Sequence, residues 1–375
     1  MQKTLTCPQG TDIMGIWEWD RFHKKRRLYR VVTIKKVAEM AGVSRSTVSR
    51  VINDEQNVSC KVKERVLHTI QELGYSPNNA ARSLAKHKTN AIGVVVNNLH
   101  DPFFYDLIRG FEQGAAETSY NIVFCSALGG DVVGKERYVR YLSNGVTDGI
   151  ILYGSYISDE HIINELSKTG FPYVLIENDF SNKNTNCMLI DNLDGAKDAV
   201  DYLASLHHTK IAHISGNPNK KVTIDRFNGY LESMHKNSLE IHENYIQHTT
   251  ADYTSGYERM KTLLSLGENR PTAVFCSDDA IASFAIRAAM DLSFRVPEDI
   301  SVMGFDNQKI LPDNYRGPGI TTVEQPLYQI GLDSICLLTK LLENKLTEKR
   351  IHNVYSTKIV IRDSVAPYNG VAPRV

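Results

Sequence analysis

The chain has 375 residues, 42% hydrophobic and 23% charged, which excludes a low-complexity or disordered chain and allows two or three domains with sizeable cores. Its net charge of zero hides an asymmetry: residues 1–90 hold 17 Lys+Arg against 8 Asp+Glu, and the remainder holds 26 against 35. A basic front end on an acidic body is the footprint of a small nucleic-acid-binding module joined to a domain that binds something else.

Residues 1–31 pattern as no packed element. They carry both tryptophans, Trp17 and Trp19, and the basic run RFHKKRRLYR. They read as a basic arm, as a disordered extension, or as the product of a start codon placed upstream of a true start near Val32. From residue 33 the grammar is clear. In TIKKVAEMAGVSRSTVSRVI, Thr33 is a helix cap and Ile34, Val37, Ala38 and Ala41 fall at helical spacing. Gly42 supplies the left-handed residue of a sharp turn, and Ser44 caps a second helix that turns Val48, Val51 and Ile52 inward. This is the pattern of a helix-turn-helix, whose second helix enters the major groove. Its outward face carries Arg45, Ser46, Ser49 and Arg50, the residue types that read guanine edges and hydrogen-bond bases or phosphates. A third helix is expected from a Ser59 cap to a Gly74 stop, with Val62, Val66, Ile70 and Leu73 as its buried stripe.

The run TIKKVAEMAGVSRSTVSRVIN, followed by GYSPNNAARSLA, resembles the DNA-binding headpiece and hinge of the lactose/galactose repressor family, and later segments carry the likeness to about residue 365. The resemblance implies a headpiece at 32–76, with Thr33, Ser44, Thr47 and Asn53 completing its DNA-facing set, and a hinge helix and linker at 77–89. Two turns at 78–85 are too short to persist alone in water. In the family this hinge folds when two copies pair over the minor groove and a leucine wedges between base pairs. Leu84 holds that place here, two residues after Arg82.

From residue 90 near-continuous apolar strands alternate with helices, the mark of doubly wound parallel sheets. Strands are expected at 91–98, 121–127, 149–154 and 172–178, and a second series opens at 187–192 and continues at 211–216, 245–250, 272–278 and 300–307. Two such blocks predict two lobes and a cleft between them. The resembling family shares this architecture with periplasmic sugar-binding proteins and crosses three times between lobes. That sends a helix at 326–342 back to the first lobe and a strand at 354–361 to the second. Residues 366–375 read as a tail.

Ligands of open α/β sheets bind beyond the carboxyl ends of the strands. The polar residues there are Asn97, Asn98, Glu177, Asn178, Asp191, Asn192, Asp278, Asp279, Asp306 and Asn307. Carboxylates and amides with an aromatic floor suit a polyhydroxylated ring. The resemblance assigns ligand contacts to Asp306, Arg226, Phe103, Phe104 and Gln325. It sets Asp278 where sugar repressors often have asparagine. Lys220 and Val222 replace an arginine and a hydroxyl of the purine-binding member, against a purine.

The six cysteines (7, 60, 125, 187, 276 and 336) lie far apart and read as reduced thiols. No run reaches the ~18–20 apolar residues of a membrane span, and no apolar signal segment opens the chain, so a cytoplasmic protein is expected. The run Gly129–Lys135, GGDVVGK, fits a phosphate loop until its next residue, Glu136, stands where Ser or Thr must hold Mg²⁺. His207-His208 has no metal-site partner, so neither enzyme, cofactor nor metal site is expected. The resulting expectation is a repressor that binds operator DNA as a homodimer and answers to a small ligand, a sugar, in the cleft. A sugar-binding transport protein without a DNA role, or a regulator governed by a protein co-regulator, are the alternatives.

Overall fold

The computed structural model describes residues 32–55, 57–76, 88–127, 131–154, 156–177, 185–249, 254–345 and 350–370. The extension 1–31 and the hinge residues Arg82 and Leu84 lie outside them. Contacts divide the chain into two units, Met1–His87 and Lys88–Val375.

In the first unit, the headpiece, α1 spans Ile34–Ala41, α2 Arg45–Ile52 and α3 Cys60–Leu73. Thr33 caps α1 by accepting from the Lys36 amide, and Ser44 caps α2 by accepting from the Thr47 amide. Gly42 takes φ +63° between them and Gly74 takes φ +59° after α3, the left-handed stops the sequence requires. Ser59 has the extended backbone of a cap, but its hydroxyl makes no capping bond. Val37, Ala38, Ala41, Val48, Val51 and Val66 form the small core.

The second unit, the body, holds two parallel sheets. The first-lobe strands are β1 Ala91–Val96, β2 Asn121–Ser126, β3 Gly149–Tyr153, β4 Tyr173–Ile176, β5 Cys187–Ile190 and β11 His352–Tyr355, in the order β11-β5-β4-β3-β1-β2. Helices α4 Tyr105–Thr118, α5 Val132–Ser143, α6 Glu160–Thr169 and α11 Leu327–Leu342 flank it. The second-lobe sheet runs β7-β6-β8-β9, from β6 Ile211–Ser215, β7 Ile246–His248, β8 Ala273–Cys276 and β9 Ser301–Met303. Around it lie α7 Asn192–Ser205, α8 Lys221–Lys236, α9 Ser255–Leu264 and α10 Asp279–Asp291. Strands β10 Thr322–Glu324 and β12 Lys358–Val360 pair antiparallel beside β9. All five strands β1, β3, β4, β6 and β8 are buried along most or all of their length, as continuous apolar runs demand.

Two expectations are corrected. The strand at 187–192 does not open the second series: β5 pairs in parallel with β4 and ends the first-lobe sheet's run of consecutive strands. The stretch 354–361 is not one strand of the second lobe. Its first part, β11, pairs in parallel with β5, and its second, β12, pairs with β10. The chain does cross three times, after β5, after β10 and between β11 and β12. As expected, α11 returns to the first lobe. It crosses α4 so closely that a Cβ on Gly331 would meet the Leu107 carbonyl at 2.3 Å, and one on Gly110 the Tyr328 carbonyl at 2.1 Å.

Candidate functional site

The headpiece presents one polar helix face. Val48 and Val51 anchor α2 to the core, which leaves Arg45, Ser46 and Arg50 exposed and Thr47 and Ser49 half-buried. Ser44 is tied to its own helix, 2.7 Å from the Ser46 hydroxyl and 2.9 Å from that of Thr47. Asn53 is the C-cap of α2, its amide 3.5 Å from the Ser49 hydroxyl. Arg50 makes only a loose, exposed pair with Glu55 at 3.8 Å, so it is available to a stronger anion at small cost. Two guanidinium groups and several hydroxyls on one groove-sized helix can contact base edges and phosphates.

The second site is the cleft between the lobes of the body, a space of about 100 Å³. The end of β1 and the turn after it supply Asn97, Asp101, Phe103 and Phe104, the ends of β3 and β4 supply Tyr153, Tyr156 and Glu177, and the second lobe supplies Lys220, Arg226, Asp278 and Asp306. Strand ends of both sheets therefore converge on one space, as the topology requires.

Arg226 organises the second-lobe wall. It lies inside α8, which begins at Lys221, so the guanidinium reaches the cleft from the second turn of the helix. Its Nε donates to Asn192 Oδ1 at 2.8 Å, Nη1 to the Ser277 carbonyl at 2.6 Å, and Nη2 pairs with Asp306 at 2.9 Å. The Phe305 ring lies 3.8 Å from the guanidinium carbon. Gln325 does not line the same space: its amide donates to Asp306 Oδ1 and holds that carboxylate in place. Burial pushes the Asp306 carboxyl well above its ordinary range, opposed chiefly by Arg226, and burial raises Glu177 and Asp278 in the same way. Phe103, Phe104 and Tyr153 meet edge to face with centroids 4.9–6.1 Å apart, an aromatic floor on the first-lobe side.

The lobes also touch beside this space. Tyr156 and Lys220 form an antiparallel bridge, and the Ile157 amide donates to the Asn219 carbonyl at 3.0 Å. The loop that makes this contact is fixed from below. Lys135, the last residue of GGDVVGK, is fully buried and donates to both Asp159 carboxylate oxygens at 2.8 Å. Asp159 also accepts from the Tyr156 amide at 3.2 Å. The lysine that resembled a phosphate ligand is a strut.

Of the expected ligand residues, Phe103, Phe104, Glu177, Arg226, Asp278 and Asp306 come together. Asp191 does not join them, since its carboxylate caps α7 by accepting from the Asp194 amide at 3.0 Å. Asp279 accepts from the Thr322 hydroxyl and the Gln308 amide, and Asn192 serves Arg226. Asn178 lies outside the described residues. Tyr153, Tyr156, Asp101 and Ser277 were missed, although Tyr153 and Tyr156 follow a buried strand and the strand-end rule could have found them. Among the described residues no group of His, Cys, Asp or Glu is placed to hold a metal, and no helix is long and apolar enough to cross a membrane.

Comparisons with known proteins find matches for both units. Residues 33–78 match the family model of the bacterial regulatory proteins of the lacI family, and residues 200–365 match that of the periplasmic binding protein-like domain. The catabolite control protein A of Priestia megaterium is 34% identical over 324 residues, which cover 85% of this chain and 95% of that protein. The crystal structure of the lac repressor dimer bound to operator and the anti-inducer ONPF superposes with a TM-score of 0.80 at 26% identity, covering 90% of this chain and all of that one. The complex of the transcriptional regulator CelR with cellobiose gives 0.66 at 28% identity, over 89% of this chain and 99% of that one. The chain belongs to the lacI family and is a DNA-binding transcriptional regulator.

Proposed function

We propose that this chain is a repressor that binds a pseudo-palindromic operator as a homodimer and is switched by a polyhydroxylated small ligand, a sugar, in the interlobe cleft. Arg45 and Arg50 would contact base edges, with Ser46, Thr47, Ser49, Thr33 and Asn53 supporting them at bases and phosphates. Arg226 and Asp306 would hold ring hydroxyls while Phe103 and Phe104 take the apolar ring face. The observation that carries this reading is the buried Arg226–Asp306 pair between an aromatic floor and two further carboxylates, which offers donors and acceptors side by side. The operator and cellobiose in the structures of relatives support the same two ligand classes here. A cytoplasmic location follows from a DNA target.

Ligand occupying the cleft changes the free energy of one lobe arrangement relative to another, and only that difference switches DNA binding. The test has two steps. The protein is selected against random duplex DNA to obtain its operator. Fluorescence anisotropy on that operator is then read while sugars, sugar phosphates, nucleosides and purines are added. A sugar that changes operator affinity in the native protein but not in Asp306→Ala supports the cleft. A normal response in both Asp306→Ala and Arg226→Ala refutes it.

A further inference from the structure

We infer that the cleft selects its ligand by charge: it takes a hydroxylated ring free of anionic groups and prefers one bearing a protonated amine. This rests on the cleft being the effector site and names the class of effector it accepts.

Among the described residues the lining carries four carboxylates, Asp101, Glu177, Asp278 and Asp306, against two cations, Lys220 and Arg226. The cations are already engaged. Each guanidinium nitrogen of Arg226 already donates once, to Asn192, Ser277 or Asp306; the two N–H groups that remain suit a hydroxyl, while Asp306 at 2.9 Å balances the charge. Lys220 stands 5.6 Å from the Tyr156 ring centroid, drawn to the face of that ring. Among the described residues no other cation lines the space, so an incoming phosphate or carboxylate finds no guanidinium whose charge is still uncompensated.

The acceptors are in the opposite condition. Glu177 is 5% exposed, and its Oε1 has no hydrogen-bond partner although it borders the cleft. A buried acceptor without a donor is costly, and a ligand that donates there removes the cost. Asp278 uses one oxygen to accept from the Ile281 amide at 2.8 Å and faces the same space. An ammonium group brings three donors and a positive charge to one buried and one half-buried carboxylate. A hydroxyl satisfies the geometry without the charge. An anion satisfies neither.

The test is calorimetric titration of the full-length protein with matched triples: glucose, galactose and mannose, their 2-amino-2-deoxy forms and their 6-phosphates, with cellobiose and chitobiose amine as a disaccharide pair. Within a triple that binds, the amine is expected about tenfold or more tighter than the neutral parent and the phosphate about tenfold or more weaker, the scale of one unit charge at a partly screened carboxylate. Glu177→Gln and Asp278→Asn, checked for folding by their melting curves, are expected to weaken the amine about tenfold more than its neutral parent, so that the two bind alike. A phosphate that binds as well as its parent, or an amine indistinguishable from it, overturns the charge selection and leaves the sugar reading standing. Failure of every triple, with an unrelated metabolite saturating the cleft, overturns both.

Discussion

Replacing Asp159 by Asn should cost the body about 3–5 kcal/mol, because it strands the buried ammonium of Lys135 without its counter-charge. The pair is 0% and 1% exposed, so solvent screens it little and the discount that applies to surface ion pairs does not hold. Lys135→Met should also destabilise, since it leaves a buried carboxylate with the Tyr156 amide as its remaining donor. The double variant Lys135→Met/Asp159→Asn carries no buried charge and should recover to within about 2 kcal/mol of the native protein, a coupling characteristic of residues in direct contact. Urea unfolding followed by far-ultraviolet circular dichroism measures all four proteins. The pH dependence gives a second reading. Burial lowers the Lys135 pKa from its ordinary value near 10.5. Between the lowered value and the ordinary one, the unfolded chain holds more protons than the folded one, so stability rises with pH. Asp159→Asn deepens the lowering, and its deficit should therefore be greatest at neutral pH and shrink as pH approaches 10. Additive losses in the double variant, or a deficit independent of pH, would refute the account of Lys135 as a charged strut beneath the interlobe contact.

Three further outcomes follow from other parts of the molecule. His213 is fully buried among Phe227, Tyr230 and Phe275, its Nδ1 2.9 Å from the Phe275 carbonyl, and burial drives its pKa down to about 3. The unfolded chain protonates it near 6.5, so stability is lost as pH falls below that value, by about 1.4 kcal/mol per unit down to about pH 3; the difference between native and His213→Phe stabilities should show this slope, and parallel curves would count against it. Gly331→Ala drives a methyl into the Leu107 carbonyl, so α4 and α11 must separate at a cost of about 1–3 kcal/mol, read as a lowered thermal midpoint. Arg45→Ala or Arg50→Ala should cost about 1–3 kcal/mol on the selected operator and relax one base pair per half-site; an equal loss on random DNA would show that these arginines touch only phosphates.

The headpiece was legible because its signals are local. Thr33, Gly42, Ser44 and Gly74 act within four residues of themselves, and caps and left-handed stops depend little on the rest of the chain. The parallel strands were legible for a similar reason, being continuous apolar runs buried on both faces. What sequence could not carry was the choice of sheet. CMLI at β5 has the same apolar signature whether it pairs with β4 or with a second-lobe strand, and only tertiary pairing decides. The strand-end rule gave the right neighbourhood but could not separate two uses of one carboxylate. A polar residue between a strand and a helix can face a ligand or cap the helix. Asp191 caps, Asp278 caps and also borders the cleft, and Gln325 holds Asp306 from behind. The interlobe hydrogen bond between Ile157 and Asn219 is made by backbone groups, which have no residue signature.

Glu177 shows what the cleft keeps at a structural cost. Its φ is +67°, in the left-handed region that L residues avoid, and it stands at the end of β4 rather than at a helix C-cap, where such values are routine. Its amide is fixed by a hydrogen bond to the Met188 carbonyl at 3.1 Å, so the conformation is imposed by strand pairing. Glycine would relieve the strain, yet the position carries a carboxylate whose Oε1 is buried and unpartnered. Both features are unfavourable in the isolated chain, the combination expected where a side chain meets a ligand. Glu177→Ala and Glu177→Gly lose the same carboxylate, and they differ in backbone freedom. The glycine variant should be the more stable by about 1 kcal/mol, because relief of strain exceeds the extra entropy it loses on folding, while both fail to respond to the effector. An alanine variant as stable as the glycine one would show that the backbone at 177 is unstrained, and the unfavourable carboxylate would then be the only sign of a function at this position.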